Sequence, residues 1–301
     1  VHLGRALGSG RGEASGVALA RQILVRYGTL DEAQRRTFFA FLADKLGPDY
    51  QAIAAAAAAF SANASPQTYR KLVRAAEPPR QEFFRRLNLA PGATAAIVAM
   101  RRDMLDAVKA IPQVADVDAD LMHLLSSWFN RGFLVLRRID WSTPANILEK
   151  IIAYEAVHEI QGWDDLRRRL DPVDRRCFAF FHPSLVDDPL IFVEVALTRE
   201  IPGSIQDLLG EEESDRAHTG GSLPTTAVFY SISNCQEGLR GISFGNFLIK
   251  QVVEELVREI PSLKTFVTLS PAPGFASWLT GQLNSTGEAP MTELDRVALQ
   301  V

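Results

Sequence analysis

The first 130 residues carry the hydrophobic pattern of α-helices. From Ala14 onward, apolar residues recur mainly at three- and four-residue spacing, which places them on one stripe of a helix. Residues 54–59 are six consecutive alanines, which favour a helix and allow neighbouring helices to approach closely. We therefore predict an all-helical bundle. After the first helix and a second one capped by Asp31, its predicted helices are 66–76, 79–87, 94–110 and 118–129.

Short apolar runs replace the helical stripe after Gly132. The strand predicted at 226–233 is followed by a loop, a helix at 244–258 and a strand at 264–269, and this order predicts a βαβ unit in a parallel or splayed sheet covered by helices. The predicted fold class is α + α/β, with an all-helical domain at 1–131 and a mixed α/β domain at 132–301. Further strands are predicted at 133–136, 177–181 and 190–197, with a helix at 143–157 and a mobile surface loop at 201–225.

Composition narrows the class of protein. The chain has 301 residues, of which 47% are apolar, and this is typical of a folded protein with two domains. Its net charge of −4 argues against a nucleic-acid partner. The longest apolar run, 52–60, is shorter than the roughly 20 residues that a membrane helix needs, so no membrane partner is expected. Two cysteines exclude a disulfide framework and a cysteine zinc site, and no metal-ligand spacing occurs elsewhere in the sequence. No targeting signal is visible, so a cytoplasmic protein is predicted.

The segment 239–246 lies between a predicted strand and a predicted helix and contains two glycines. Glycine lets the backbone approach a ligand closely, and the first N–H groups of a helix carry a partial positive charge. Arg240 adds a fixed cation. These features suit a pyrophosphate, but the segment lacks the full Rossmann pattern and the Gly-Lys-Ser/Thr of a P-loop. A plain glycine-containing turn is the alternative interpretation.

A second candidate segment, 268–275, follows the last predicted strand. In open α/β sheets ligands gather at such strand ends, and Pro271 and Pro273 restrict the backbone there. Ser270 is therefore a candidate functional residue held in a stiff turn. The alternative is that Ser270 caps the helix that runs through Trp278.

These two segments resemble the malonyl-CoA decarboxylase family. The resemblance covers residues 226–279, His182 to Leu185 with Ile191 to Thr198, and Gly10 to Ser15 near the start. It implies a helical N-terminal domain used for homo-oligomerisation, followed by a catalytic domain of the GNAT acyltransferase type. It also implies that Ser270 is the catalytic serine. The residues implied to hold the coenzyme A pyrophosphate are Arg240, Gly241, Ile242, Ser243, Phe244, Gly245 and Asn246.

The implied reaction converts malonyl-CoA to acetyl-CoA and carbon dioxide without a metal or organic cofactor, as a step of fatty acid metabolism. In the family that this chain resembles, the serine is paired with a histidine in a Phe-His-Leu-x-Asn-Gly-Ala stretch, which does not occur in these 301 residues. We therefore expect a C-terminal portion beyond Val301. Two alternatives remain: a GNAT-type acyltransferase that needs an amine acceptor, and a non-catalytic acyl-CoA-binding protein.

Other polar residues have plainer interpretations. His182 is more readily a strand-end residue before Pro183 than a catalytic base. The basic run 167–169 beside Asp164 and Asp165 predicts a solvated helix face. Cys235 follows the strand at 226–233, and nothing in its sequence context marks a reactive thiol.

Overall fold

The computed structural model describes residues 7, 13–209, 223–244, 247–284 and 292. Its N-terminal part is helical and agrees with the predicted bundle; the predicted helices 66–76 and 79–87 are confirmed at both ends. The helices are α1 (Glu13–Gly28), α2 (Glu32–Lys45), α3 (Tyr50–Ala62), α4 (Pro66–Ala76), α5 (Pro79–Leu87), α6 (Ala93–Val108) and α7 (Val114–Trp128).

Side-chain caps start several of these helices. The Asp31 carboxylate accepts a hydrogen bond from the Gln34 N–H at 2.8 Å, and the Gln34 side chain accepts one from the Asp31 N–H, which forms a capping box. Ser65 and Thr68 form a second capping box at the start of α4, where Pro66 occupies the first helical position. The predicted cap at Asp31 is therefore confirmed.

The second part of the chain forms one mixed sheet with helices. A 3-10 turn (Arg131–Phe133) leads into β1 (Val135–Ile139). The predicted buried strand at 133–136 is therefore wrong in its bounds and its burial: Phe133 lies in the turn and is 60% exposed, and Val135 is 45% exposed because β1 lies at the edge of the sheet. A short helix stands at 205–209 within the stretch predicted as a loop, while 210–222 lie outside the described residues. The remaining elements are α8 (Ala145–Tyr154), α9 (Trp163–Leu170), β2 (Arg175–Phe181), β3 (Pro189–Thr198), α10 (Ile205–Leu209), β4 (Thr226–Asn234), a 3-10 turn (Glu237–Leu239), α11 (Phe247–Glu259), β5 (Thr265–Thr268) and α12 (Phe275–Asn284).

The five strands of the described residues lie in chain order, β1 to β5. The first four pair antiparallel, and β4 pairs with β5 in parallel. This parallel pairing covers only Thr226 to Phe229 of β4 and ends with the Leu269 N–H donating to the Phe229 carbonyl at 2.9 Å. Within the described part of the chain, the second half of β4 therefore has no strand partner on the β5 side. The sheet opens there, at the carboxyl ends of its only parallel pair among the described strands.

A β-bulge at Tyr230 shifts the alternation of side chains along β4 by one residue. Glu194 of β3 pairs with Ser231, whereas the next residue, Val195, pairs with Phe229, so Tyr230 is the extra residue. Tyr230 packs with Val228, and Ser231 contacts the buried carboxylate of Glu155. Two consecutive side chains thus point to the same face of the sheet, away from α11.

The helical part and the sheet share one hydrophobic core. Phe39, Phe84 and Leu121 of the bundle belong to the same buried cluster as Phe180 of β2 and Val252 of α11. The bundle therefore covers the same face of the sheet as α11. The opposite face is covered by α8, α9 and α10 through two smaller clusters, one around Ile151 and Phe192 and one around Leu208 and Tyr230.

The α-hairpin of α3 and α4 stands outside this core. Neither helix contains a buried residue, although α3 is mostly alanine. The two helices pack on each other, with the Phe60 and Tyr69 rings 6.4 Å apart. Large apolar side chains remain exposed on this hairpin and its start: Tyr50, Tyr69 and Val73.

Within the described ranges, no helix combines the length and the apolar character needed to span a bilayer.

Candidate functional site

The segment of residues 237–244, here called the Arg240 loop, lines a cavity at the end of β4 and includes the described part of the segment predicted to bind pyrophosphate. After Asn234 the chain forms the 3-10 turn and then residues 240–244, and this segment encloses a cavity of about 350 Å³ together with Leu190 at the start of β3. Arg240, Gly241, Ile242 and Phe244 all line it. Gly245 and Asn246 lie outside the described residues, and Ser243 is exposed but is not a lining residue. Helix α11 begins immediately after this gap, at Phe247.

Two side chains of opposite charge border the cavity. Arg240 is exposed and has no ion-pair partner among the residues described, so its guanidinium is available to a ligand. Glu237 also lines the cavity and is exposed. The carboxylate of Glu237 reduces the positive potential that Arg240 creates, so binding of an anion there relies on directed N–H donors as well as on charge.

The loop rests on the helical bundle. A Cβ atom built on Gly238 would lie 1.9 Å from the Val98 carbonyl oxygen of α6, so only glycine allows this approach. Beside it, Arg101 of α6 is 1% exposed, and its Nη1 donates to the carbonyls of Gly238 and Arg240, each at 2.8 Å. The Arg101 Nε donates to Asp118 of α7 at 2.7 Å. The loop conformation therefore depends on the Arg101 side chain, which lies 137 and 139 residues from these two carbonyls in the sequence.

Ser270 lies two residues after the last residue of β5 and is exposed. The preceding Leu269 is held by its hydrogen bond to Phe229, at the point where β4 and β5 separate. Helix α12 begins only at Phe275, after Gly274 with a φ of +80°. Ser270 is therefore not the cap of this helix, which removes one of its two alternative interpretations. Ser270 is not among the residues that line the cavity at the Arg240 loop.

A buried polar cluster lies on the opposite face of the sheet, against β3 and β4. The carboxylate of Glu155, which follows α8, accepts hydrogen bonds from the hydroxyls of Ser231 (2.8 Å) and Ser233 (3.1 Å). It also accepts the N–H groups of Val157 and His158, at 2.9 and 2.7 Å. Glu155 is only 9% exposed, so these four donors replace the water that an ionised carboxylate would otherwise bind.

Glu194 of β3 belongs to the same cluster and is fully buried. Arg169 of α9 donates to it at 3.2 Å and also to Asp165, one turn earlier. Burial, opposed by Arg169 and supported by the nearby Glu155 charge, raises the pKa of Glu194 to about 8. Although burial opposes ionisation, the Gln161 N–H and the Arg169 guanidinium lower the pKa of Asp165. Asp165 thus carries the negative charge that balances Arg169, while Glu194 keeps its proton at neutral pH.

The expected solvated face at 167–169 is therefore wrong for Arg169, which is 5% exposed, because the helix turns this third arginine toward the sheet. His182 is buried against Phe129 with ring centroids 4.7 Å apart, and its Nδ1 accepts the Ser184 N–H at 3.1 Å. Desolvation lowers the pKa of His182, and its ring packs between the bundle and the sheet.

Neither cysteine is placed for chemistry. Cys177 and Cys235 are free and buried, and burial raises the pKa of both thiols. In the described part of the chain, no group of three or more His, Cys, Asp and Glu side chains is arranged to hold a metal ion.

The sequence matches two family models in succession. Residues 46–129 match the malonyl-CoA decarboxylase N-terminal domain, and residues 132–301 match the malonyl-CoA decarboxylase C-terminal domain. The chain belongs to the malonyl-CoA decarboxylase family. A crystal structure of malonyl-CoA decarboxylase from Rhodopseudomonas palustris is 56% identical and superposes with a TM-score of 0.88, covering 99% of this chain and 72% of that one.

Curated relatives in the family are more distant. Mitochondrial malonyl-CoA decarboxylase of the goose Anser anser anser is 42% identical over 222 residues, and that of Rattus norvegicus is 38% identical over 275 residues. These alignments cover 72% and 87% of this chain, but 44% and 56% of the two relatives. The chain thus spans about half the length of the curated family members that it matches.

Proposed function

We propose that this protein removes carbon dioxide from malonyl-CoA and releases acetyl-CoA, as a carboxy-lyase of fatty acid metabolism. The observation that supports this most directly is the cavity at the Arg240 loop, at the end of β4, in a chain of the malonyl-CoA decarboxylase family. In this proposal residues 1–131 form the oligomerisation domain. Residues 132–301 form a GNAT-like domain whose strands β4 and β5 diverge to admit the thioester arm, as their short parallel pairing suggests.

The loop would bind the pyrophosphate of coenzyme A. Arg240 supplies a guanidinium with several donors in a fixed fork, and Gly241, with a φ of +84°, lets the backbone come close to the phosphates. Ile242, Ser243 and Phe244 continue the loop toward α11, and the proposal extends to Gly245 and Asn246. We assign all seven residues to substrate binding.

The reaction requires stabilisation of an enolate. The bond between the α-carbon and the free carboxylate breaks, carbon dioxide leaves, and the electron pair passes into the thioester as an enolate, which takes up a proton at the α-carbon. Main-chain groups of β4 beyond Phe229 lack a strand partner on the β5 side within the described residues and are candidate donors to the enolate oxygen. Ser270, at the point where the two strands separate, would orient the carboxylate and relay the proton.

The test is decarboxylation of malonyl-CoA by the full-length protein, with acetyl-CoA and carbon dioxide measured together. We expect both products in equal amounts, without any amine acceptor and undiminished by a metal chelator. For Ser270→Ala we expect a loss of about 100-fold or more in kcat, as for other groups that transfer a proton in catalysis. Thr280→Ala, which alters an exposed hydroxyl of the following helix α12, is the matched control.

Other outcomes would identify the alternatives. Turnover that requires an amine would indicate a GNAT-type acyltransferase, and tight binding of malonyl-CoA without turnover would indicate an acyl-CoA-binding protein. Full activity of Ser270→Ala would overturn the role assigned to Ser270. A loss of activity in the chelator would overturn the proposed absence of a metal cofactor.

We further propose that the protein is a homo-oligomer in the cytoplasm, without nucleic-acid or membrane partners. The exposed apolar side chains of the α3–α4 hairpin support self-association through the helical part. Two free thiols fit a reducing compartment. Cell fractionation of the tagged protein tests the location, and recovery in a mitochondrial fraction would contradict it.

A further inference from the structure

Arg101 connects the helical bundle to the cavity loop through the main chain. Its guanidinium is 1% exposed and uses Nη1 to donate to two carbonyls of the loop, those of Gly238 and Arg240. Nε and Nη2 both reach the Asp118 carboxylate, at 2.7 and 3.4 Å. The bidentate contact with Asp118 fixes the plane of the guanidinium, so the direction in which Nη1 points is also fixed.

This contact sets the orientation of the peptide between Arg240 and Gly241. The chain has no cis peptide bonds in its described part, and in a trans peptide the C=O and N–H groups point in opposite directions. Because the Arg240 carbonyl points toward Arg101, the Gly241 N–H is directed away from α6. No protein acceptor for this N–H occurs among the described residues, and Gly241 lines the cavity.

The peptide between Gly238 and Leu239 is held in the same way. The Gly238 carbonyl accepts from Arg101, while the Leu239 N–H of that peptide donates to the Gln236 carbonyl at 2.9 Å. Gly238 can occupy this place only because it lacks a side chain against Val98. The loop is therefore attached to α6 through two carbonyls, those of Gly238 and Arg240. A charged donor polarises each of these carbonyls, so the N–H group of the same peptide becomes a stronger donor.

From this geometry we infer that Arg101 is a positioning residue for the coenzyme A pyrophosphate: it holds the 240–241 peptide so that the Gly241 N–H is offered to the phosphate oxygens. This inference rests on the proposed function of the Arg240 loop. It assigns the helical bundle a part in substrate binding, in addition to the proposed role in oligomerisation. Asp118 acts through Arg101 and not on the substrate.

Binding of free coenzyme A by the full-length protein tests this role without requiring turnover. We expect Arg101→Met to raise the calorimetric Kd for coenzyme A about tenfold or more, because it removes charge-assisted hydrogen bonds. Arg101→Lys keeps the charge but has no fork to reach Asp118 and both carbonyls, so we expect a smaller increase. The second variant, Asp118→Asn, tests the orientation of the Arg101 guanidinium without altering the guanidinium itself.

The matched control is Arg102→Met. Arg102 is the next residue of α6, its side chain is 54% exposed, and it pairs with Asp103 at 3.3 Å. We expect the Kd of this variant to equal that of the unaltered protein. Thermal unfolding of every variant establishes that it is folded before binding is measured.

A second readout separates positioning from a general loosening of the fold. With malonyl-CoA, Arg101→Lys should raise KM while kcat stays nearly constant. With the malonyl thioester of N-acetylcysteamine, which lacks the pyrophosphate, KM should not change. An equal rise of KM for both substrates, or a folded Arg101→Met protein with an unaltered Kd for coenzyme A, would overturn the inference.

Failure of the proposed function gives a different result. If the unaltered protein does not bind coenzyme A, the assignment of the loop is wrong, and the inference falls with it. If it binds coenzyme A but does not decarboxylate malonyl-CoA, only the reaction is wrong, and the comparison of Arg101 with Arg102 still decides the role of Arg101.

Discussion

The guanidinium of Arg169 lies 3.2 Å from a carboxyl oxygen of Glu194, yet Glu194 keeps its proton at neutral pH. Desolvation of a fully buried carboxyl outweighs the attraction of one arginine that Asp165 already neutralises. This pair therefore makes the free energy of unfolding depend on pH.

The folded protein should become less stable as the pH rises from about 4.5 to about 8. In this range the unfolded chain has lost the Glu194 proton and the folded chain retains it, so unfolding releases a proton. The contribution is fully present below pH 4.5, falls by at most about 1.4 kcal/mol per pH unit, and stays constant above pH 8. Urea denaturation at several pH values should give a shallower slope for Glu194→Gln than for the unaltered protein.

Glu259→Gln is the control for this measurement. Although burial opposes it, hydrogen bonds and charge from Arg176 lower the pKa of Glu259, so its contribution changes only below about pH 4.5. Between pH 5 and 9 the slope of Glu259→Gln should match that of the unaltered protein. Equal slopes for all three proteins would show that Glu194 ionises normally.

Substitution of Gly238 should weaken both the fold and the loop. A Cβ atom would meet the Val98 carbonyl oxygen at 1.9 Å, and backbone cannot yield as a flexible side chain can. We expect Gly238→Ala to lose about 1 to 3 kcal/mol of stability, as overpacked cores do, and to weaken coenzyme A binding. Gly16→Ala in α1, where nothing lies within 4 Å, should instead stabilise the helix slightly. A Gly238→Ala protein as stable as the unaltered one would contradict the close approach of α6 and the loop.

Both thiols should be unreactive in the native protein. Cys177 and Cys235 are buried, and their raised pKa leaves almost no thiolate at pH 8. Titration with Ellman's reagent should detect no rapidly reacting thiol before denaturation and both cysteines in guanidinium. Rapid labelling of Cys235 in the folded protein would contradict this burial.

The α3–α4 hairpin should carry the contact between subunits. Val73→Asp places a charge on this exposed apolar face, and we expect the molar mass from light scattering to fall toward that of one subunit. Val186→Asp, at an exposed position after β2, should leave the oligomer intact. A monomeric unaltered protein, or an intact Val73→Asp oligomer, would exclude this hairpin as the interface.

Local signals in the sequence were sufficient for most elements. The start of helix α4 is marked locally by Pro66 at its first position and by Ser65 and Thr68, whose side chains form its capping box. The prediction of a buried strand at 133–136 is wrong because an apolar run does not indicate whether a strand lies at the centre or at the edge of a sheet.

The buried polar contacts could not be predicted in the same way. Arg169 and Glu194 are 25 residues apart, and the neighbouring arginines made Arg169 look like part of a solvated surface. Arg101 is 137 residues from Gly238 and 139 residues from Arg240 in the sequence. No periodicity encodes such tertiary contacts, although a charged residue among apolar positions of α6 is a signal that a buried partner exists.

The contact of Arg101 with main-chain carbonyls has an evolutionary consequence. Every residue type provides a carbonyl, so this attachment places no demand on the side chain at position 240. Positions 101 and 118 should vary together among relatives, whereas position 240 can change independently of both. The loop can therefore acquire a different ligand preference by drift at its exposed side chain without losing its anchor on the bundle.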